Sequence, residues 1–192
     1  MRVIAGKYRH RALGAPRGLE VRPTSDRLRE ALFNVLAAGR QEALEGTVWI
    51  DAFAGTGAVG IEALSRGAQQ VYFLENAKAP LAALRANLKA LGITQGAEIV
   101  ERAVKAALPR LEAAGVVCDF IFLDPPYRMA AAYRETLERL AESKLVKGTC
   151  VVVAEHDKHF DPGEGFGRLQ RSRKLAQGDA VLSFYKLQSA TD

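Results

Sequence analysis

Thr47-Val-Trp-Ile-Asp-Ala-Phe-Ala-Gly-Thr-Gly-Ala-Val-Gly-Ile-Glu-Ala-Leu-Ser-Arg66 is the stretch that decides the fold. Thr47 to Asp51 is β-branched and aromatic, and reads as a buried strand. Glycines follow at Gly55, Gly57 and Gly60, and Ile61 and Leu64 continue at helical spacing. The order is strand, glycine-rich turn, helix. Glycine lets the turn tighten and lets a ligand lie against bare backbone. The helix start that follows offers unpaired N–H groups and partial positive charge. Gly55-x-Gly57-x-x-Gly60 matches a dinucleotide fingerprint, but Asp51 and Phe53 pull away from one. A carboxylate at Asp51 crowds a pyrophosphate and suits an ammonium or sulfonium charge.

Outward from this stretch, strands alternate with helices. Gln70-Val-Tyr-Phe-Leu-Glu75 is a second strand ending in an acid, in the place where nucleotide and adenosyl ligands meet a carboxylate on their ribose. Asn76 reads as the N-cap of a helix burying Leu81, Leu84, Leu88 and Leu91 and stopping at Gly92. Ala97 to Glu101 is a third strand. Residues 103–114 are helix-like, with Pro109 beginning or breaking a turn. Cys118 to Asp124 is a fourth strand, apolar on both faces at its centre, as in a covered parallel sheet. A helix over 130–142 turns Tyr133, Leu137 and Leu140 inward, and Thr149 to Glu155 is a fifth strand. His156 and His159 read as a solvated loop pair. Arg168 to Leu175 and Ala180 to Leu187 form a hairpin about Gln177-Gly178-Asp179. The expected fold is α/β, a doubly wound Rossmann-like sheet, mostly parallel with an antiparallel C-terminal hairpin.

Before the central strand lies a basic segment. Residues 1–29 carry eight cations (Arg2, Lys7, Arg9, Arg11, Arg17, Arg22, Arg27 and Arg29) against Glu20 and Asp26, more net charge than the +5 of the whole chain. Residues 1–13 read as a short hairpin or extended arm, with Gly6-Lys7 turning and Tyr8 among the cations. Arginine, lysine and aromatic residues together suit phosphate contact with base stacking. Arg22 to Asn34 opens a helix at Pro23, with Thr24 or Ser25 as N-cap. Its buried stripe is Leu28, Ala31, Leu32, Val35 and Leu36, with Gly39 as its end. The division expected is an arm over 1–22 and one catalytic domain over 23–188.

With 192 residues, 48% hydrophobic and 26% charged, the composition is that of a water-soluble domain, with no apolar run long enough to span a bilayer. The N-terminus lacks an apolar signal core, so a cytoplasmic protein is expected. Cys118 and Cys150 lie in apolar runs and read as buried free thiols; no metal-ligand spacing occurs, and no metal is expected.

Asp124-Pro-Pro-Tyr127 ends the fourth strand. Two prolines fix the backbone and remove two N–H donors. The Asp124 carboxylate and a carbonyl at Pro125 can both accept from one exocyclic amino group, localising its lone pair. Tyr127 offers a face for a flipped base, and Pro126 holds the turn. Asp51-Ala-Phe-Ala-Gly-Thr-Gly57 together with Asp124-Pro-Pro-Tyr127 resembles the amino-methyltransferases that use S-adenosylmethionine. Adding Arg22 to Asn34 and Gly60-Ile-Glu-Ala-Leu-Ser-Arg-Gly-Ala68, residues 2–187 resemble one family, RsmD, the small-subunit (16S) ribosomal RNA guanine-N2 methyltransferases.

That resemblance implies S-adenosylmethionine held by Asp51, Ala52, Phe53, Ala54, Gly55, Thr56 and Gly57, with Glu75 on the ribose and Asn76 beside it. Guanine would sit at Asp124, Pro125, Pro126 and Tyr127. Lys7, Arg9, Arg11, Arg22, Thr24 and Arg29 would grip RNA. The partner implied is ribosomal RNA in the small ribosomal subunit, and the expected state is a monomer. The chain departs from the family at Asn76-Ala77, where an acid or polar pair is frequent, and at Arg102, where Asp or Asn often takes the adenine amino group. Adenine would then rest on the Ala103 N–H or on Glu101. The competing readings are a DNA adenine or cytosine amino-methyltransferase, a nicotinamide-dependent oxidoreductase and a non-catalytic RNA-binding assembly protein.

Overall fold

The computed structural model describes residues 1–15, 25–126 and 129–188. The chain divides into two compact units, Met1–Ala103 and Val104–Asp192. In the first, β1 (Val48–Ala52), β2 (Gln70–Leu74) and β3 (Ala97–Val100) lie in the order β3-β2-β1, all parallel. Asp51 faces Phe73 in the β1–β2 register. The crossovers are α2 (Ala58–Ser65) and α3 (Lys78–Ala90). Every α2 residue except Leu64 is buried, which suits its nearly unbroken apolar and small-residue sequence. Pro80 sits in the first turn of α3, where its missing N–H has no intrahelical partner to lose.

Ahead of β1, α1 (Asp26–Ala37) is capped by Ser25, whose Oγ accepts the Leu28 N–H at 3.1 Å. The chain then leaves the helix through Ala38 and Gly39, both at positive φ. The helix is rotated from the expected stripe: Leu28, Arg29, Leu32, Phe33 and Ala37 are buried, while Ala31, Val35 and Leu36 are half-buried. Phe33 stacks on Trp49 of β1 at 5.3 Å between centroids, and this contact sets the rotation. The Trp49 indole donates to Thr47 Oγ1 at 2.9 Å, which donates to the Leu44 carbonyl at 2.6 Å. These interior polar groups are therefore paired.

The second unit holds α4 (Val104–Ala113), β4 (Cys118–Leu123), α5 (Ala130–Ala141), β5 (Val146–Asp157), β6 (Gly165–Phe166), β7 (Leu169–Gln177) and β8 (Ala180–Leu187). Its strands run β4-β5-β8-β7-β6, with β4 and β5 parallel and the rest antiparallel. The parallel strands with crossover helices and the antiparallel C-terminal hairpin are as expected. Tyr133, Leu137 and Leu140 are buried along α5, and the Tyr133 hydroxyl donates to the Glu155 carbonyl at 2.7 Å.

Three local expectations fail here and in the first unit. Pro109 neither starts nor breaks α4 but lies inside it. Val104, Ala107, Leu108 and Leu111 hold the buried face, and Pro109 and Lys105, whose carbonyl loses its partner, are both exposed to water. His156 is not in a solvated loop. It is buried on β5, its Nδ1 2.9 Å from the Asp157 carbonyl and its Nε2 2.9 Å from Ser183 Oγ; burial lowers its pKa. Asn76 does not cap α3, whose N-cap is Ala77.

Cys118 and Cys150 are buried free thiols, and burial pushes the Cys118 thiol up to about 12. Such a thiol is inert at neutral pH. No helix among the described residues is long and apolar enough to cross a membrane.

Candidate active site

In the first unit the candidate site is built on the end of β1 and the start of α2. Asp51 is 2% exposed, and its Oδ2 accepts the Gly60 N–H at 2.9 Å, across the turn and into the first helical turn. Burial pushes its carboxyl up to about 7; the Gly60 N–H pulls down, and the nearby Glu75 charge pushes up again. A carboxyl in that state is poised to ionise when a cationic group arrives beside it.

The loop itself is held at each end. The Ala54 N–H donates to the Leu74 carbonyl at 3.0 Å, and the Gly57 N–H to the Ala54 carbonyl at 2.7 Å. Phe53 takes a left-handed φ of 63°, uncommon for a bulky residue. The three glycines are needed for different reasons. A Cβ on Gly57 would lie 2.3 Å from Leu84 Cδ1, and one on Gly60 2.3 Å from Phe73 Cε1, so both permit close packing. Gly55 at φ +56° has only the Phe53 carbonyl within 4 Å of a would-be Cβ, at 3.9 Å, so here alone bare backbone faces open space. Ala52 and Thr56 are both buried.

Glu75, at the end of β2, gathers three backbone N–H groups: Gly55 on Oε2 at 2.9 Å, and Asn76 and Ala77 on Oε1 at 2.8 and 2.7 Å. Its carboxylate thus fixes the loop and also stands in for the missing cap of α3. Two oxygens offer about four lone-pair positions, so room remains for a hydroxyl donor. Asn76, Arg102 and Ala103 are exposed at neighbouring strand ends, and the Arg102 N–H turns back to the Val100 carbonyl at 2.8 Å. Glu101 is taken up by an ion pair with Arg85.

The arm is a hairpin bridged at Arg2 and Ala12, with Gly6 at the turn. It packs against α2. Glu62, fully buried, accepts the Ile4 and Ala5 N–H groups at 2.7 and 3.0 Å and the Arg66 Nε–H at 2.7 Å. Ser65 Oγ donates to the Ala5 carbonyl and accepts the Tyr8 N–H at 2.9 Å. Asn87 of α3 reaches both the arm at Gly14 and the loop at Thr56. Glu62, Ser65 and Asn87 were missed by sequence reasoning. A polar residue at a position on an apolar helical face was the one signal that could have found them.

Lys7, Arg9 and Arg11 are on the arm, Lys7 above the Tyr8 ring at 5.3 Å and Arg11 donating to the Ala90 carbonyl at 3.1 Å, and all three are exposed. Arg29 departs from the expectation. Its side chain is 0% exposed, bonded to the Arg2 carbonyl at 2.5 Å and to Asp26 at 2.9 Å, so it anchors the arm from beneath instead of presenting charge to solvent. Arg22, Thr24 and Tyr127 lie outside the described residues.

In the second unit Asp124 follows β4 and is half-buried, Pro125 is buried, and Pro126 is exposed. The Met129 N–H donates to the Pro126 carbonyl at 2.7 Å. The parallel ladder of β4 with β5, which runs to Leu123↔Ala154, fixes the direction in which the chain leaves β4 at Asp124.

Comparisons with known proteins agree with this arrangement. The family model described as Conserved hypothetical protein 95 matches residues 1–186. Ribosomal RNA small subunit methyltransferase D of Escherichia coli K12 is 33% identical over 193 residues, covering 94% of this chain and 93% of that protein. The protein of the same name from Haemophilus influenzae is 33% identical over 82% of this chain and 79% of its own length. Among solved structures, a hypothetical protein of Thermus thermophilus superposes with a TM-score of 0.81 at 31% identity, covering 97% of this chain and 99% of that one. With the strand-end acids, the glycine loop and the Asp-Pro-Pro turn in place, the chain belongs to the RsmD family of methyltransferases, the family described as Conserved hypothetical protein 95.

Proposed function

We propose that this chain is a ribosomal RNA methyltransferase that uses S-adenosylmethionine to place one methyl group on the exocyclic N2 of a guanine in the small-subunit RNA of assembling subunits. The observation that carries the cofactor half is Asp51: a buried carboxyl, raised to about 7, beside a loop whose Gly55 leaves backbone open. That combination fits a ligand with positive charge and a flat, close-lying body. Asp51 would face the charged end of the cofactor, and Glu75 would take ribose hydroxyls on its remaining lone pairs. Arg102 and Ala103 would border the adenine. S-adenosylmethionine supplies the electrophilic methyl on a sulfonium.

For the acceptor half, Asp124 and the Pro125 carbonyl would receive the two N–H groups of the guanine amine. Two acceptors on one –NH2 draw its lone pair out of the ring and aim it. The amine's acidity rises only as its new N–C bond forms, so Asp124 need only hold the proton it already faces. The Pro126 carbonyl already accepts the Met129 N–H, so the Pro125 carbonyl is the one assigned to the amine. Lys7, Arg9 and Arg11 would meet RNA phosphates, with Arg22, Thr24 and Tyr127 completing the RNA and base contacts. The reading is of a cytoplasmic enzyme that acts as a monomer.

Asp124→Ala tests the division of labour. Turnover should fall by at least about a thousandfold while S-adenosylhomocysteine affinity stays within about threefold of the parent. Parallel loss of both would remove Asp124 from the acceptor role.

A further inference from the structure

Asn87 lies in the last turn of α3, inside a helix where asparagine is a poor former, and it is 4% exposed. Its side chain accounts for its presence. Oδ1 accepts the Gly14 N–H at 2.8 Å, and Nδ2 donates to the Gly14 carbonyl at 3.1 Å and to the Thr56 carbonyl at 3.0 Å. Gly14 follows the paired part of the arm hairpin; Thr56 lies between the first two glycines of the loop. One buried amide therefore holds both segments.

We propose that Asn87 is a positioning residue that makes arm docking and cofactor binding strengthen each other, an inference that rests on the cofactor reading above. When the arm leaves, Oδ1 and Nδ2 both lose Gly14, and the amide becomes a buried group with most of its bonds unmade. It then turns to find partners, and the Thr56 carbonyl loses the donor that fixes the loop. In the other direction, a loop ordered by ligand orients Nδ2 and sets the amide to receive Gly14. Coupling of this kind is reciprocal by linkage. Glu62 and Ser65 tie the arm to α2 alone, so they supply docking strength without reaching the loop.

The test is a double-mutant cycle on the full chain, read as S-adenosylhomocysteine affinity by titration calorimetry. Gly6→Val displaces the arm, because Gly6 sits at φ +79° and its Cβ would lie 1.8 Å from the Ser65 carbonyl oxygen. Asn87→Ala removes the link. Each alone should weaken binding about tenfold, and the two together also about tenfold, since both break one connection. Additive loss, about a hundredfold in the double variant, would overturn the coupling. Leu81→Ala, buried on the same helix without polar side-chain bonds, should leave affinity within about twofold. A loss there equal to that of Asn87→Ala would reduce the effect to a loosened helix and end the proposal. If Gly6→Val does not fold, Ser65→Ala replaces it, removing the hydroxyl's bonds to Ala5 and Tyr8. A parent that does not bind S-adenosylhomocysteine overturns the cofactor reading and this inference with it; a parent that binds, with additive variants, overturns the inference alone.

Discussion

Asp51→Asn tests the electrostatics of the loop. In the unfolded chain an aspartate ionises near 3.8; here burial holds the proton until about pH 7. The folded state therefore binds more protons than the unfolded state between those values, and stability falls as pH rises through that window. Above pH 7 both states are ionised and the full cost is present. Raising a carboxyl from 3.8 to about 7 corresponds to about 4 kcal/mol. That is a large share of the roughly 5–15 kcal/mol typical of a domain. Asparagine keeps an oxygen for the Gly60 N–H but never ionises. Its NH2 needs a partner in a buried place, which costs about 1–2 kcal/mol. The net expectation is a variant about 2–3 kcal/mol more stable than the parent at pH 8 and slightly less stable at pH 4. Urea unfolding at pH 4, 6 and 8 measures this, and subtracting the curves cancels the titrating groups that do not interact with Asp51, leaving Asp51 and its coupling to Glu75. The same carboxylate is the proposed partner of a cation, so S-adenosylhomocysteine should bind Asp51→Asn about 10–100-fold more weakly. Parent affinity should fall up to about tenfold per pH unit below 7. A variant less stable than the parent at pH 8, with affinity intact, would refute both the buried-charge argument and the ligand role.

Other consequences follow from the same geometry. Glu62→Ala leaves Arg66 buried without its carboxylate and frees the Ile4 and Ala5 N–H groups; it should cost about 3–5 kcal/mol in urea unfolding, with Glu62→Gln costing less. Gly57→Ala puts a Cβ 2.3 Å from Leu84 at φ +80°, so it should lose at least about 1–2 kcal/mol of stability together with cofactor affinity, whereas Gly55→Ala, in open space, should lose affinity with a smaller stability cost. Neutralising Lys7, Arg9 and Arg11 should weaken RNA binding and lower the slope of log affinity against log salt by up to about 2–3; an unchanged slope would take the arm out of the interface. Arg29→Met, by contrast, should leave that slope unchanged and show its effect in the thermal midpoint, because Arg29 is buried.

What could be read from sequence was what local chemistry determines. Thr47 to Gly60 announces itself because strand, glycine turn and helix are consecutive, and Glu75 and Asp124 are legible because parallel strands with crossovers put strand ends in predictable places. The misreadings share a cause. Arg29 looks like one more cation of a basic segment; its burial depends on the Arg2 carbonyl and on Phe33 meeting Trp49, contacts far apart in the chain. His156 looks like loop because its partner, Ser183, belongs to a strand that pairs only later in the chain. Pro109 looks like a break because propensity carries no knowledge of four apolar neighbours holding the turn. Glu62 and Asn87 sit on the apolar faces of regular helices, which marks them as unusual, but nothing local says that the partner they meet is the arm.

The most direct test of the central claim is methyl transfer from labelled S-adenosylmethionine to small ribosomal subunits lacking their modifications, with naked ribosomal RNA and genomic DNA alongside, followed by digestion and identification of the labelled nucleoside. The account predicts N2-methylguanosine from the subunits, absent with Asp124→Ala. Methyladenine or methylcytosine from DNA, or no transfer to any of the three by a protein that binds S-adenosylhomocysteine tightly, would contradict it.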